Sequence, residues 1–253
     1  MAQVTVDKVS KTYLTDNRSV TALHDVSLDM RDGEFVCVVG HSGCGKTTLL
    51  NILAGFLQPS SGEIRVDGVP REKSKASIGV VFQEYALFPW RTALQNVAFG
   101  LEMAGESKAA ARKRAVEFLE LVHLSEFANA YPHQLSGGMR QRVAVARAMA
   151  YEPGLLLMDE PFGALDAQTR ERLQSLTQEV WLATHKTIFY VTHNISEAVF
   201  LGERVVIMRP GPGRIHDIVD IKLPRPRDPL SDEFIDIQRH ITRAIMDRDE
   251  RHG

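Results

Sequence analysis

Cysteine is nearly absent from this 253-residue chain, which has two: Cys37 in an apolar run and Cys44 in a glycine-rich turn. A disulfide framework is therefore excluded, and both thiols are expected to be reduced. Charge of one sign is lacking too, since 30 Lys and Arg face 32 Asp and Glu for a formal net charge of −2, so no global field draws the chain to nucleic acid. No apolar run approaches the roughly 18 residues that a bilayer span needs. Met1-Ala-Gln-Val-Thr-Val-Asp7 lacks a basic-then-apolar leader, so an intracellular protein is expected, reaching any membrane only through partners. Internal repeats and low-complexity tracts are missing as well, and the length suits one large α/β domain, with or without an inserted subdomain.

Glycine, by contrast, is placed where chemistry can use it. Gly40-His-Ser-Gly-Cys-Gly-Lys-Thr47 has the spacing G-x-x-x-x-G-K-T, after the apolar run Phe35–Val39 and before Thr48-Leu-Leu-Asn-Ile-Leu53. A buried strand turning into a helix through such a loop is a phosphate cradle: its glycines let backbone N–H groups approach oxygens, and the helix N-terminus favours anions. Residues 40–48 are the expected nucleotide-binding loop, from Gly40, His41, Ser42, Gly43, Cys44 and Gly45 to Thr48. Lys46 is expected to reach the β- and γ-phosphates of ATP, and the Thr47 hydroxyl to hold Mg²⁺.

Around that loop, Gln3 to Asp32 alternates apolar and polar residues and reads as antiparallel β structure. Strands are expected at Glu63–Val66, Ile78–Phe82, Leu155–Met158 and Thr187–Val191, and a helix over 167–184. Between about Arg91 and Ala150 the period is helical. An α/β core interrupted by a helical insertion is the simplest architecture, its continuous apolar strands implying a covered, mostly parallel sheet. The tail from Arg209, with Gly211-Pro-Gly-Arg214 and Leu223-Pro-Arg-Pro-Arg227, reads as an irregular linker before a last helix near Asp232–Asp247.

Two further segments carry chemistry. Asp159 ends the apolar run Leu155–Met158, a costly place for a carboxylate unless it serves a cation, and is assigned to Mg²⁺. Glu160 beside it can take a proton from, or orient, the water attacking a γ-phosphate. Leu135-Ser-Gly-Gly138 precedes a helix, so the Ser136 hydroxyl and the Gly137 and Gly138 amides form a second anion-binding device.

Taken in this order, the three segments resemble the ATP-binding-cassette (ABC) family, with Leu135-Ser-Gly-Gly138 as its signature motif; Met139 stands where the family often has Gln. The resemblance covers nearly the whole chain. It implies an α/β P-loop NTPase (RecA-like) core with an antiparallel β subdomain, over 1–90 and 151–208, an inserted helical subdomain over 91–150, and a C-terminal tail and helix over 209–253. It also implies roles for residues that spacing alone leaves mute. Tyr13 matches the aromatic that stacks on adenine, and Gln83 the glutamine joining core to helical subdomain, with a share in Mg²⁺ binding and catalysis. Asp166, in Ala164-Leu-Asp166, matches the loop crossing a dimer interface, and His193 the switch histidine contacting the γ-phosphate. Ser136, Gly137, Gly138 and Asp166 would then serve the ATP of a second copy.

Longer stretches, Gln83–Gly100, Asp159–Arg170 and Ser196–Phe200, resemble ATPase subunits of bacterial importers for nitrate, taurine, aliphatic sulfonates and bicarbonate. The resemblance implies an ATP-hydrolysing subunit at the cytoplasmic face of the cell membrane, beneath two membrane-spanning permease subunits fed by an extracytoplasmic substrate-binding protein. Tyr85-Ala-Leu-Phe-Pro-Trp90 is expected either to be buried within the helical subdomain or in part to line a groove that receives the permease, and the cationic run Lys222–Arg227 is expected to pack at the subunit surface rather than bind an anion. Alternatives are a soluble ABC-type ATPase acting on nucleic acid or ribosomes, for which no basic stripe or second cassette is present, and an exporter ATPase, which the catalytic motifs do not exclude.

Overall fold

The buried apolar residues of the first two strands, Val4, Val6 and Val9 in one and Leu23, Val26, Leu28 and Met30 in the other, are spaced two apart except at one place in each. The computed structural model describes residues 2–15, 18–83, 86–163 and 165–246. Glu84, Tyr85, Ala164 and Asp247 thus lie outside the described residues. Strands β1 (Val4–Thr15) and β2 (Arg18–Met30) pair antiparallel. Buried Val6 and Val9 are three apart, as are Leu23 and Val26, which strict alternation would send to opposite faces. A bulge at Lys8 (φ 47°) and another at Asp25 (φ 50°) restore the phase. Each is pinned by a serine, Lys8 N–H donating to Ser27 Oγ and Asp25 N–H to Ser10 Oγ, both at 3.0 Å.

Next come β3 (Phe35–Gly40), α1 (Lys46–Ala54), β4 (Ser61–Val66) and the two-residue β5 (Val69–Pro70). β4 joins the first sheet beside β1. α1 ends at Gly55 (φ 81°), and Arg71 donates to the last helix carbonyls, Leu53 O at 2.9 Å and Ala54 O at 2.8 Å. The middle of the chain supplies β6 (Ile78–Val81), α2 (Ala93–Met103), α3 (Lys108–Leu121), α4 (Gly137–Ala150), β7 (Leu155–Asp159) and α5 (Ala167–Thr184). Then follow β8 (Thr187–Val191), α6 (Ile195–Leu201), β9 (Arg204–Arg209), β10 (Arg214–Asp220) and α7 (Asp232–Met246).

Two compact units result, one of Ala2–Lys75 with Thr187–Gly253 and the other of Ala76–Lys186. In the first, β3 pairs parallel with β8 on one side and β9 on the other, and every residue of β3 and β8 is buried. Burial on both faces is why these strands read as unbroken apolar runs. In the second, β6 and β7 pair parallel beside the helices.

One expectation is corrected. The tail after Arg209 is not irregular: β10 pairs antiparallel with β9, with a register shift between Ile215 and Asp217. That shift breaks the period-two pattern and hid the strand. Within the cationic run, Lys222 is exposed, Arg225 half-buried and Arg227 buried, with 6% of its surface exposed, so the last arginine packs into the fold.

Candidate functional site

β3 delivers the chain to the glycine-rich loop at Gly40, whose φ of 156° and surroundings admit no side chain. A Cβ there would lie 2.3 Å from Met208 O. At Gly45 (φ 93°) it would meet Leu23 Cδ2 at 2.4 Å and Ala22 O at 2.9 Å, whereas Gly43 (φ 79°) has open space and is required only for conformation. Gly45 is also the N-cap of α1 and brings no capping side chain, and no acid stands in the helix's first turn. The positive helix end is left for an outside anion. His41, Ser42, Gly43 and Thr47 are exposed, while Cys44 and Lys46 are buried and Thr48 is half-buried. Lys46 Nζ donates to Gly40 O at 2.8 Å and His41 O at 3.2 Å, so the ammonium already lies along the loop. Burial pushes the Cys44 thiol up, more than the Lys46 charge pulls it down, and keeps it protonated.

The turn between β9 and β10 forms one wall of this loop. Gly213 N–H donates to Ala22 O at 3.1 Å, and His24 N–H donates to Gly213 O at 2.9 Å. A Cβ on Gly213 would meet Cys44 O at 2.3 Å and Ala22 O at 2.6 Å. Gly213→Ala is therefore expected to cost about 1–3 kcal/mol through backbone displacement and to weaken ATP binding. Thermal melts with and without ATP check this; an unchanged melt and unchanged ATP shift would refute it.

In the other unit, β7 ends at half-buried Asp159, and Glu160 follows with φ 43°, a left-handed conformation that costs a non-glycine residue about 1–2 kcal/mol. The twist turns the chain sharply, Gly163 N–H donating back to Glu160 O at 3.1 Å. A Cβ on Gly163 would stand in ordinary contact with Glu160, 3.7 Å from its Oε2. Ser136 is exposed and caps α4, its Oγ accepting from Met139 N–H at 3.3 Å. Asp166 caps α5, accepting from Thr169 N–H at 3.0 Å, and that hydrogen bond holds its carboxyl below the usual range. The two helix starts meet where Gly138, next to Gly137, faces Thr169: a Cβ would lie 2.5 Å from Thr169 Cγ2. A cavity of about 690 Å³ opens beside them, lined by Ser136, Gly138, Met139, Arg142, Thr169 and Arg172 among others.

Gln83 is exposed just beyond β6. Tyr13 stands 40% exposed near the end of β1, with Lys11 Nζ 5.5 Å from its ring centroid. His193 is exposed between β8 and α6, and its neighbours are fixed: Thr192 Oγ1 donates to the buried Glu197 carboxylate and accepts from Asn194 N–H at 3.0 Å. Asn194 Oδ1 in turn caps α6 by accepting from Glu197 N–H at 3.2 Å.

The sequence model of the ABC transporter family matches residues 23–163. The chain belongs to that family. An uncharacterised ABC transporter ATP-binding protein of Methanocaldococcus jannaschii is 48% identical over 242 residues, 96% of this chain and 91% of its own length. A taurine import ATP-binding protein of Rhizobium johnstonii is 53% identical over 198 residues, covering 78% of this chain and 76% of its own. Its counterpart in Roseobacter denitrificans is 45% identical over 241 residues, 95% and 89% of the two chains. Among solved structures, the dimeric ATP-binding cassette in a post-hydrolysis state bound to ADP and Pi superposes with a TM-score of 0.78 at 36% identity, over 87% of this chain and 100% of that one. The present chain is thus an α/β ABC cassette that binds and hydrolyses ATP.

Sequence reasoning missed parts of this cassette. Asn96, fully buried, accepts from Phe88 N–H at 2.8 Å and donates to the carbonyls of Phe88, Arg91 and Thr92 at 3.0–3.2 Å, fixing the apolar loop before α2. Nothing in Asn96 itself announces that role; only its neighbours in space do. On the loop it fixes, Trp90 is 71% exposed against Phe88, which packs edge-on against Phe99 with Arg91 and Arg147 over the rings.

Proposed function

We propose that this cassette is the ATP-hydrolysing subunit of an importer for a small anion of the sulfonate type, taurine first and nitrate or bicarbonate next. The observation that carries the reading is the similarity to taurine import ATP-binding proteins over most of both chains. No helix of the described residues is long and apolar enough to cross a membrane. In this reading the subunit works at the cytoplasmic membrane face on two membrane-spanning permease subunits, which receive cargo from an extracytoplasmic binding protein.

Two copies act together. Lys46 and the loop of one subunit hold the β- and γ-phosphates, Tyr13 stacks on adenine, and Ser136, Gly137, Gly138 and Asp166 of the second copy close on the same nucleotide. Thr47, Gln83 and Asp159 offer a hydroxyl, an amide oxygen and a carboxylate, the hard oxygen donors Mg²⁺ prefers. These three residues would hold Mg²⁺ at the bound nucleotide. When bound, Mg²⁺ neutralises charge on the β- and γ-phosphates. Glu160 accepts the proton of the attacking water, and His193 contacts the γ-phosphate.

The exposed Trp90 and its aromatic neighbours form the permease-facing surface. The test is to purify the cassette with its membrane subunits, reconstitute them in proteoliposomes, and measure ATPase with binding protein plus taurine or glucose. Taurine is expected to stimulate turnover and glucose not to; stimulation by glucose alone, or failure of the subunits to co-purify, overturns the reading. In the same vesicles, Phe88→Ser with Trp90→Ser should leave the isolated subunit's ATPase intact and abolish transport.

A further inference from the structure

Leu223-Pro-Arg-Pro-Arg227 takes no part in the nucleotide site as described, yet both of its guanidinium groups are drawn into the fold. Arg227 Nη1 donates to the carbonyls of Val199, Phe200 (3.1 Å) and Gly202 (2.6 Å), and Nη2 to Ile221 O at 3.4 Å. Half-buried Arg225 donates to Phe200 O at 3.2 Å and to Leu201 O. The acceptors are the carbonyls that close α6. A helix leaves its last four carbonyls without partners; here Ala198 O takes Gly202 N–H at 2.9 Å, and Val199, Phe200 and Leu201 take the two arginines. Burial lowers the Arg227 pKa to about 10, so the group is still cationic at neutral pH and still complements the helix's negative end.

α6 has seven residues, too few to persist by its own propensity. Its placement is set by what grips its two ends. One grip is the tail. The other is the Thr192–Asn194–Glu197 cluster, within which His193 sits. α1, which begins at the phosphate loop, is closed in the same manner by Arg71.

We propose that Arg225 and Arg227 are positioning residues for His193: they clamp the C-terminal end of α6 and so hold the histidine at its N-terminal end where the γ-phosphate arrives. This rests on the reading of His193 as the γ-phosphate contact. The guanidiniums touch no nucleotide themselves, and their effect passes through the helix.

The experiment uses the full chain and steady-state ATPase well below the melting temperature, with Arg225→Gln, Arg227→Gln, Arg227→Lys, His193→Ala and the double variant His193→Ala/Arg227→Gln. Arg227→Gln should lower kcat about tenfold with KM for ATP unchanged, as a displaced contact does. Arg227→Lys should recover part of the loss, and Arg225→Gln should shift kcat in the same direction by less. In the double variant the arginine change should slow turnover no more than about twofold beyond His193→Ala alone. Multiplying effects, a raised KM at constant kcat, or wild-type kcat in both glutamine variants would overturn the positioning role while leaving the histidine assignment standing. Wild-type kcat in His193→Ala overturns that assignment and the positioning with it. If Arg227→Gln fails to bind ATP, Arg225→Gln alone and combined with His193→Ala decides by the same criteria.

Discussion

Replacing Glu160 by glutamine should slow steady-state ATP turnover by roughly 10²–10⁴-fold, the usual worth of a general base, while ATP still binds. Glutamine keeps the volume and the left-handed turn at this residue, so the strand end and the Gly163 hydrogen bond that shape it should survive. What is lost is the carboxylate proposed to accept the proton of the attacking water. Lys46→Ala makes the contrast: it removes the cation lying along the loop and should weaken ATP binding itself by about 1.5–3 kcal/mol, the range for a charged hydrogen bond. Equilibrium binding of ATP beside multiple-turnover kinetics separates the two. Near-normal turnover by the Glu160→Gln protein would remove the base assignment.

The second large effect is expected at Ser136. Because Ser136 is exposed in the single chain, arginine there has room, and the monomer should bind ATP normally. A second copy closing on the nucleotide has no such room, so hydrolysis should fall by at least about 10²-fold, as for any misplaced reacting geometry. Ser136→Ala is the control, since it removes the α4 cap, worth about 1 kcal/mol, without adding bulk. Light scattering in the Glu160→Gln background with ATP reads dimer formation directly. A Ser136→Arg protein that dimerises and turns over like the parent would refute the shared site.

The glycine-rich loop was legible because its demands are local. Gly43 and Gly45 adopt φ 79° and 93°, conformations that any chain making this turn must assign to glycine. Asp159 was legible for a similar reason, since a carboxylate ending an apolar run stands out wherever that run packs. Tyr13, Gln83, Asp166 and His193 were different: a single tyrosine or histidine carries no signal in its neighbours, and only resemblance to a family singled them out.

By itself, the sequence determined the strands at 63–66, 155–158 and 187–191 and α5 over 167–184, because periodicity and turn residues act over a few positions. Tertiary structure alone decided what joins residues far apart. The bulges at Lys8 and Asp25 exist because two strands must keep one face buried together. Gly213 is small because Cys44 O and Ala22 O crowd it across a gap of more than 160 residues. Asn96 is polar in the core because the loop before its own helix needs its amide, and Arg227 of the tail is buried because the carbonyls that end α6 need donors. A buried polar group is stable only where partners meet it, and which partners meet is a property of the folded chain.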